Sequence, residues 1–532
     1  MSVLLSIDGL SVALPPGADR AFALHEVALE LRANEILCVV GESGSGKSMT
    51  AGAVLGLLPP GVRATTGRVL LDGQDLLTMS EADLRGVRGA RIGMIFQEPM
   101  TALNPLRTIG DQIGEMFRTH TALRASTIAQ RVVELLEDVR IPDPEAAARA
   151  YPHELSGGQR QRAMIAMALA LEPHVLIADE PTTALDVTTQ AQILQLIRDL
   201  QRRKGTGVLF ITHDFGVVAE IADRVAVMQH GRIVEQGTAD AVLNRPQHTY
   251  TKALIAAVPS LHPPDATPVA AETALTVVGV CKTFRPGGWW GRGGRTVPAV
   301  RDVSLELPRG STLGIVGESG SGKSTLARCI LRLQEPDAGS VRLGATDLAA
   351  LSRRALRAQA GRIQMVFQDP YASLNPRRRA GDLVAQGLVI RGMPKARALA
   401  RARELFELVG LDPEAVGRYP HEFSGGQRQR IGLARALALE PEVLVADEPV
   451  SALDVSVQAQ VLRLLADLRA QLGLSILFIT HDLRVAAQIC DRILVMQHGA
   501  VVEGGSVTSV FGNPMHPYTQ SLLASVPGRH WA

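Results

Sequence analysis

The sequence predicts an α/β fold built twice, and three observations carry that prediction. The octapeptide Gly41-Glu-Ser-Gly-Ser-Gly-Lys-Ser48 returns unchanged as Gly317-Glu-Ser-Gly-Ser-Gly-Lys-Ser324. Further pairs follow in the same order: Gln97-Glu-Pro and Gln368-Asp-Pro, Ser156-Gly-Gly-Gln159 and Ser424-Gly-Gly-Gln427, Asp179-Glu-Pro181 and Asp447-Glu-Pro449, Thr212-His-Asp214 and Thr480-His-Asp482. The offsets drift only from 276 to 268 residues, so the repeat is a duplicated domain and far too long for a solenoid unit. Finally, short apolar runs alternate with longer segments of helical spacing, the pattern of a parallel sheet covered by helices.

Taken in chain order, Leu5–Ser11 alternates apolar and polar residues as a strand does, and Leu275–Cys281 echoes it at the start of the second copy. Ile36–Val40 is a continuous apolar run ending at the first octapeptide, as a strand buried on both faces should be. Val175–Ala178 and Val208–Thr212 read the same way, while 159–171 and 189–200 carry helical periodicity. The first copy fades after Pro259, and the Pro-rich stretch from His262 reads as an extended connector. The expected division is therefore a first domain at 1–261, a linker at 262–273 and a second domain at 274–532. One insertion, Gly287-Gly-Trp-Trp-Gly-Arg-Gly-Gly294, lengthens the first loop of the second copy and reads as a hairpin tip or a partner contact.

Composition narrows the function classes. In 532 residues, 55 Lys and Arg face 53 Asp and Glu, a net charge of +2 that argues against a nucleic-acid binder. With 46% hydrophobic and 20% charged residues the chain lies far from disordered compositions and can fill more than one core. The four cysteines, Cys38, Cys281, Cys329 and Cys490, are too scattered for a disulfide framework or a C-x-x-C site, which fits a reducing compartment. The first residues lack the charge and apolar pattern of a signal peptide. The longest apolar stretch, 163–178, is interrupted by Glu172 and Pro173, so no membrane span is expected.

The repeated octapeptides follow apolar strands, and their pattern is that of a phosphate-binding loop. Glycines at 41, 44 and 46, and at 317, 320 and 322, let backbone N–H groups, with Ser43 and Ser319 between them, approach phosphates closely. Lys47 and Lys323 would reach the β- and γ-phosphates, and the Ser48 and Ser324 hydroxyls would ligate Mg²⁺. The chain has only six lysines against 49 arginines, yet keeps lysine at both loops, where a compact ammonium suits the role. Asp179 and Asp447, at strand ends, are placed to hold the metal, and Glu180 and Glu448 beside them are the candidate bases that polarise an attacking water. His213 and His481, each just past a strand, are candidate γ-phosphate sensors.

These residues give both copies a clear likeness. Each copy resembles an ATP-binding-cassette ATPase domain, and the resemblance spans nearly the whole chain. It implies a mostly parallel core sheet, an antiparallel β subdomain and a helical signature subdomain in each copy. It also implies ATP and Mg²⁺ as ligands, with Gln97 and Gln368 acting as Q-loop residues toward the metal and nucleotide. Ser156, Gly157, Gly158 and Gln159, like Ser424, Gly425, Gly426 and Gln427, match the family's signature. In that family the signature of one domain closes over the nucleotide held by the other, so the ATP sites would need no homodimer. Phe284 is the candidate for the family's adenine-stacking aromatic. The first copy has Leu14 there, leaving Phe22 or no aromatic at that site.

Finer motifs are similar to the dipeptide, oligopeptide and nickel importer branch, including fused forms such as the microcin C and peptide importer ATPases. They include Asp186-Val-Thr-Thr-Gln-Ala-Gln and Asp454-Val-Ser-Val-Gln-Ala-Gln, and Ala102-Leu-Asn-Pro105 and Ser373-Leu-Asn-Pro376. The last are Arg245-Pro-Gln-His-Thr-Tyr-Thr251 and Asn513-Pro-Met-His-Pro-Tyr-Thr519. The resemblance implies a peripheral ATPase at the cytoplasmic face of the bacterial inner membrane. It would serve two permease subunits and, through them, a periplasmic or lipid-anchored binding protein for peptides or peptide-like solutes. No iron–sulfur cluster is expected. A twin-cassette protein acting on ribosomes or DNA usually has a long charged connector, and the linker at 262–273 carries no Lys or Arg. A fused sugar-importer ATPase commonly has one degraded site, whereas both motif sets here are intact.

Overall fold

The computed structural model describes residues 2–183, 185–263, 272–285, 296–451, 453–529 and 531. Most of the linker and the glycine-rich insertion around Trp289 lie outside the described residues. Contacts divide the chain into two units, the first made of Met1–Leu185, Thr189–Val258 and Pro527–Trp531, the second of Asp186–Thr188 and Pro259–Val526.

Among its described residues the first unit holds ten strands: β1 (Val3–Ala13), β2 (Phe22–Arg32), β3 (Ile36–Val40), β4 (Arg63–Leu71), β5 (Gln74–Asp75), β6 (Ile92–Ile95), β7 (Val175–Asp179), β8 (Gly207–Thr212), β9 (Arg224–Gln229) and β10 (Arg232–Thr238). Four form an antiparallel sheet ordered β2-β1-β4-β5. Six form a second sheet ordered β10-β9-β3-β8-β7-β6, parallel except at the β10 edge. The three apolar runs identified in the sequence are central strands of this sheet. Their alternate residues serve two cores, because successive side chains of a strand point to opposite faces. Leu37 and Val39 pack with the antiparallel sheet and the helix Lys47–Val54. Ile36, Cys38 and Val40 pack toward the helical region.

That helical region contains Ile109–His120, Ala125–Asp138, Pro144–Arg149 and the long helix Gly157–Leu169. Ile109, Ile113 and Phe117 recur at i, i+4 and i+8 and are buried, and Thr108 starts their helix by accepting the Asp111 N–H.

The second unit repeats this plan with β11 (Thr273–Phe284), β12 (Val297–Pro308), β13 (Thr312–Val316), β14 (Ala338–Leu343), β15 (Thr346–Asp347), β16 (Ile363–Val366), β17 (Val443–Asp447), β18 (Ser475–Thr480), β19 (Arg492–Gln497) and β20 (Ala500–Ser506). Its sheets are ordered β12-β11-β14-β15 and β16-β17-β18-β13-β19-β20. Leu313 and Ile315 face one core, Val316, Ala446 and Phe478 the other. All four cysteines are free thiols. Among the described residues no helix is long and apolar enough to cross a membrane.

Candidate functional site

In each unit four neighbouring parallel strands deliver the site at their carboxyl ends, the usual place for ligands of open α/β sheets. In the first unit β3 leads into the phosphate loop, β8 into His213, β7 ends at Asp179 with Glu180 next, and β6 leads to Gln97. The second unit does the same with β13, β18, β17 and β16.

The loop conformation demands glycine. Gly41 and Gly317 have φ of 154° and 150°, and a Cβ there would meet the carbonyl oxygens of Met228 and Met496 at 2.2 and 2.3 Å. Gly46 and Gly322 cap the following helices in the left-handed region without a side-chain hydrogen bond. The N–H groups of a helix's first turn lack intrahelical partners and suit an anion. Lys47 and Lys323 are buried and curl back over their loops. Lys47 Nζ donates to Gly41 O at 2.7 Å and Glu42 O at 2.9 Å, and Lys323 Nζ to Gly317 O at 2.7 Å and Glu318 O at 2.8 Å. Burial holds the Lys323 ammonium below its ordinary pKa despite the carboxylates of Glu448 and Asp447 nearby.

The hydroxyl and carboxylate expected at the metal are adjacent: Ser48 Oγ donates to Asp179 Oδ1, and Ser324 Oγ to Asp447 Oδ1, each at 3.0 Å. Burial raises both aspartates above the ordinary range against the serine hydrogen bond, with the neighbouring glutamate adding repulsion. The next residues, Glu180 and Glu448, have left-handed φ of 46°. Each is held by its backbone N–H on the adjacent strand, at Ile211 O and Ile479 O, both 2.9 Å.

His213 Nδ1 lies 3.2 Å from Glu180 Oε1, and Gln97 Nε2 and Thr183 Oγ1 donate to Glu180 Oε2 at 3.1 and 2.9 Å. In the second unit, Gln368 Nε2 donates to Glu448 Oε2 at 2.7 Å, and His481 Nδ1 lies 3.2 Å from the same oxygen. Burial alone would raise these glutamates, but hydrogen bonds and charge from the histidines outweigh it and keep both below the ordinary carboxylate value. A low-pKa carboxylate next to a raised one gives each unit an ionised proton acceptor beside a group that a cation would stabilise.

The structure thus brings Lys47, Ser48, Gln97, Asp179, Glu180 and His213 into one cluster, and their six counterparts into another. The signature residues stand apart from these clusters within each unit. Ser156 and Ser424 cap the helices Gly157–Leu169 and Gly425–Leu437 through reciprocal bonds with Gln159 and Gln427. Gly158 is tight against Thr189 and Gly426 against Val457, where a Cβ would come within 2.7 and 2.3 Å. Ser156, Gly157 and Ser424 are exposed.

Beside the second loop lies a cavity of about 540 Å³, lined by Ser319, Gly320, Lys323, Ser324, Gln368 and Glu448 together with Val297, Pro298, Arg301 and His498. Arg301 and His498 carried no signal in the sequence. Phe284 is 42% exposed and pairs with cavity-lining Val297 across the sheet, without lining the cavity itself. In the first unit, Phe22 occupies the register position of Pro298 and stands edge-on to His25, the counterpart of Arg301. Arg20 was also missed in the sequence; it donates to the loop carbonyl of Gly44 at 2.6 Å.

Comparisons agree with this geometry. The ABC transporter family model matches residues 24–183 and 300–451. The model for the oligopeptide/dipeptide transporter C-terminal region matches 234–281 and 502–530. The chain is 49% identical to the peptidoglycan transport ATP-binding protein YejF of Agrobacterium fabrum (strain C58 / ATCC 33970), over 98% of this chain and 96% of that protein. It is 48% identical to the glutathione import ATP-binding protein GsiA of Escherichia coli O157:H7, over 98% of this chain and 89% of that protein. The same protein of Escherichia coli (strain K12) is 47% identical, with the same coverage.

Proposed function

This chain belongs to the ABC transporter family and carries its ATP-binding domain twice; on that premise we propose that it energises import of peptides or peptide-like solutes through two separate permease subunits. It is an ATPase coupled to transport. The peptide class is supported by the match of both C-terminal regions to oligopeptide/dipeptide transporters and by relatives named for glutathione import and peptidoglycan transport. Work at the cytoplasmic face of a bacterial inner membrane, with a solute-binding protein beyond the permeases, follows from the same reading.

The observation that carries the proposal is the twofold occurrence of one cluster, a phosphate loop with Ser–Asp and Gln–Glu–His contacts, at the ends of adjacent strands. The loop amides and the first helical turn receive the phosphates, and Lys47 or Lys323 neutralises them. Ser48, Gln97 and Asp179, and likewise Ser324, Gln368 and Asp447, present the oxygen donors that Mg²⁺ takes, and burial of the aspartates favours a cation beside them. Bound there, Mg²⁺ would offset phosphate charge. Glu180 and Glu448 accept a proton from the attacking water, and the histidines keep those carboxylates ionised and oriented. The signature residues, of which Ser156, Gly157 and Ser424 are exposed, serve ATP when the cassettes close, and closure within one polypeptide needs no second copy.

The test pairs steady-state ATPase of the purified chain with growth of cells on a required peptide. Lys47→Ala combined with Lys323→Ala should abolish both. Normal growth with this variant at wild-type abundance would refute the proposal.

A further inference from the structure

The C-terminal motifs His248-Thr-Tyr-Thr251 and His516-Pro-Tyr-Thr519 are not absorbed by the mechanism above, yet both end at the phosphate loops. The Glu42 N–H donates to Tyr250 Oη at 3.2 Å, and the Glu318 N–H donates to Tyr518 Oη at 3.0 Å. The peptide involved is the one joining Gly41 to Glu42, or Gly317 to Glu318. Its carbonyl oxygen is the acceptor of the loop lysine at 2.7 Å in both units. One peptide plane is therefore held on both edges, by the lysine at its oxygen and by a tyrosine hydroxyl at its nitrogen.

The tyrosines are themselves braced. Each is the second residue of a helix, Thr249–Ala256 or Pro517–Ala524, whose capping histidine accepts the tyrosine N–H at Nδ1, 3.2 Å in both units. The segment ahead of each histidine is fixed to the edge strand. Glu235 on β10 accepts the N–H groups of Gln247 and His248 at 2.7 and 3.1 Å, and Glu503 on β20 those of Met515 and His516 at 2.8 and 3.1 Å. The threonine after each tyrosine is fully enclosed, Thr251 at 0% and Thr519 at 1% exposure. This arrangement runs from edge strand to capped helix to loop amide, and it occurs twice with the same partners.

We propose that Tyr250 and Tyr518 are positioning residues for nucleotide binding: each hydroxyl fixes the first peptide of its phosphate loop, and so the place from which the loop lysine meets phosphate. The inference rests on the reading that these loops bind ATP. A free rotation of that peptide would move the lysine's carbonyl anchor and turn the Glu42 or Glu318 N–H out of the loop's array. Because the hydroxyl orders the loaded loop equally before and during reaction, while the empty loop is free to relax once it is gone, its removal weakens binding without slowing the bound complex. That is the signature of lost uniform binding.

The experiment uses the full chain with Tyr250→Phe and Tyr518→Phe, singly and together, since loss of one hydroxyl keeps the ring's packing. Fluorescence titration with trinitrophenyl-ATP and steady-state ATPase give affinity, KM and kcat; thermal unfolding without nucleotide gives stability. The double variant should bind nucleotide about three- to tenfold more weakly, the range for one hydrogen bond per site. KM should rise in parallel while kcat holds, and the nucleotide-free unfolding midpoint should fall by less than the loss in binding. Affinity equal to wild type overturns the inference, and so does weaker binding accompanied by a matching loss of nucleotide-free stability, which would make the hydroxyls merely structural. Lys47→Ala with Lys323→Ala separates the two levels. If wild type binds and the lysine variant does not, an unaffected tyrosine variant sinks only this inference; if wild type fails to bind, the ATP reading falls with it.

Discussion

Replacing Glu180 or Glu448 by glutamine tests the hydrolytic assignment, and the two positions should not respond identically. Glutamine keeps the shape but presents one acceptor oxygen and an NH₂ donor. Glu448 receives Gln368 and faces His481 through one oxygen, so Glu448→Gln can keep both contacts. Glu180 spreads its partners over two oxygens, Gln97 and Thr183 on one and His213 on the other. Glu180→Gln must therefore turn its NH₂ toward one side, where the unprotonated His213 Nδ1 or the Thr183 hydroxyl can accept it, so a charge-assisted contact becomes a neutral one at a cost of about 1 kcal/mol. Loss of the base adds roughly 10²–10⁴ in rate, which is about 3–5.5 kcal/mol of barrier. Steady-state phosphate release and equilibrium ATP titration separate these effects. Both variants should turn over at least a hundredfold more slowly, with ATP affinity held in Glu448→Gln and measurably weaker in Glu180→Gln. A double variant whose turnover stays within about twofold of wild type would remove these carboxylates from the chemistry.

The Glu448–His481 pair also sets a pH window. Burial opposes charge on His481, but the hydrogen bond and charge of Glu448 win and raise it above 6.5, while the same pairing lowers Glu448 below 4.5 against its own burial. The histidine contribution is complete below 6.5 and fades as pH rises through its raised value; the glutamate contribution is complete above 4.5 and fades on acidification. Glu448→Gln should accordingly lower the unfolding midpoint most between those values, and an equal loss from mildly acidic to alkaline pH would contradict the pairing. At the adenine end, Phe284→Ala and Phe22→Ala should each weaken ATP binding at their own site, since base–aromatic stacking is worth roughly 1–3 kcal/mol; site-resolved titration showing no change in either would place adenine elsewhere. The segments after Gln97 and Gln368 are expected to meet the permeases, and Met100 and Tyr371 there are 51% and 65% exposed. The Arg428 guanidinium lies 3.8 Å over the Tyr371 ring, joining this segment to the signature helix. Met100→Arg with Tyr371→Arg should leave ATP binding nearly intact and abolish peptide uptake; normal growth on the peptide would take this segment out of the coupling path.

The residues most legible in the sequence are those at the ends of central strands. Lys47, Asp179, Glu180 and His213 each come after a short, largely apolar run of four or five residues, and neighbouring parallel strands must bring their carboxyl ends together. The helical spacing read over 159–171 and 189–200 likewise falls on the helices 157–169 and 187–204, each of which starts two residues earlier. What stayed hidden depends on single side chains reaching backbone atoms across long separations. Tyr250 meets the Glu42 amide from 208 residues away, and Arg20 meets the Gly44 carbonyl from another strand connection. Such bonds leave no periodicity. Arg301 escaped for a different cause: it belongs to β12, whose antiparallel pairing sets which side chains overlook the loop, and that register includes shifts no alternation pattern encodes.

Glu180 and Glu448 combine a left-handed backbone with a following proline, a pairing that suits neither a β-carbon nor the residue ahead of a pyrrolidine ring. Conformations of this kind carry of order 1–3 kcal/mol each. Glycine at either position would relieve that tension, but it would also remove the carboxylate held by the neighbouring glutamine and histidine, so the backbone gain is set against lost contacts while the proton acceptor disappears. Heat resistance at these two positions therefore reports a balance between backbone relief and lost carboxylate contacts, and it is a misleading guide to fitness there, because either outcome leaves an inert site.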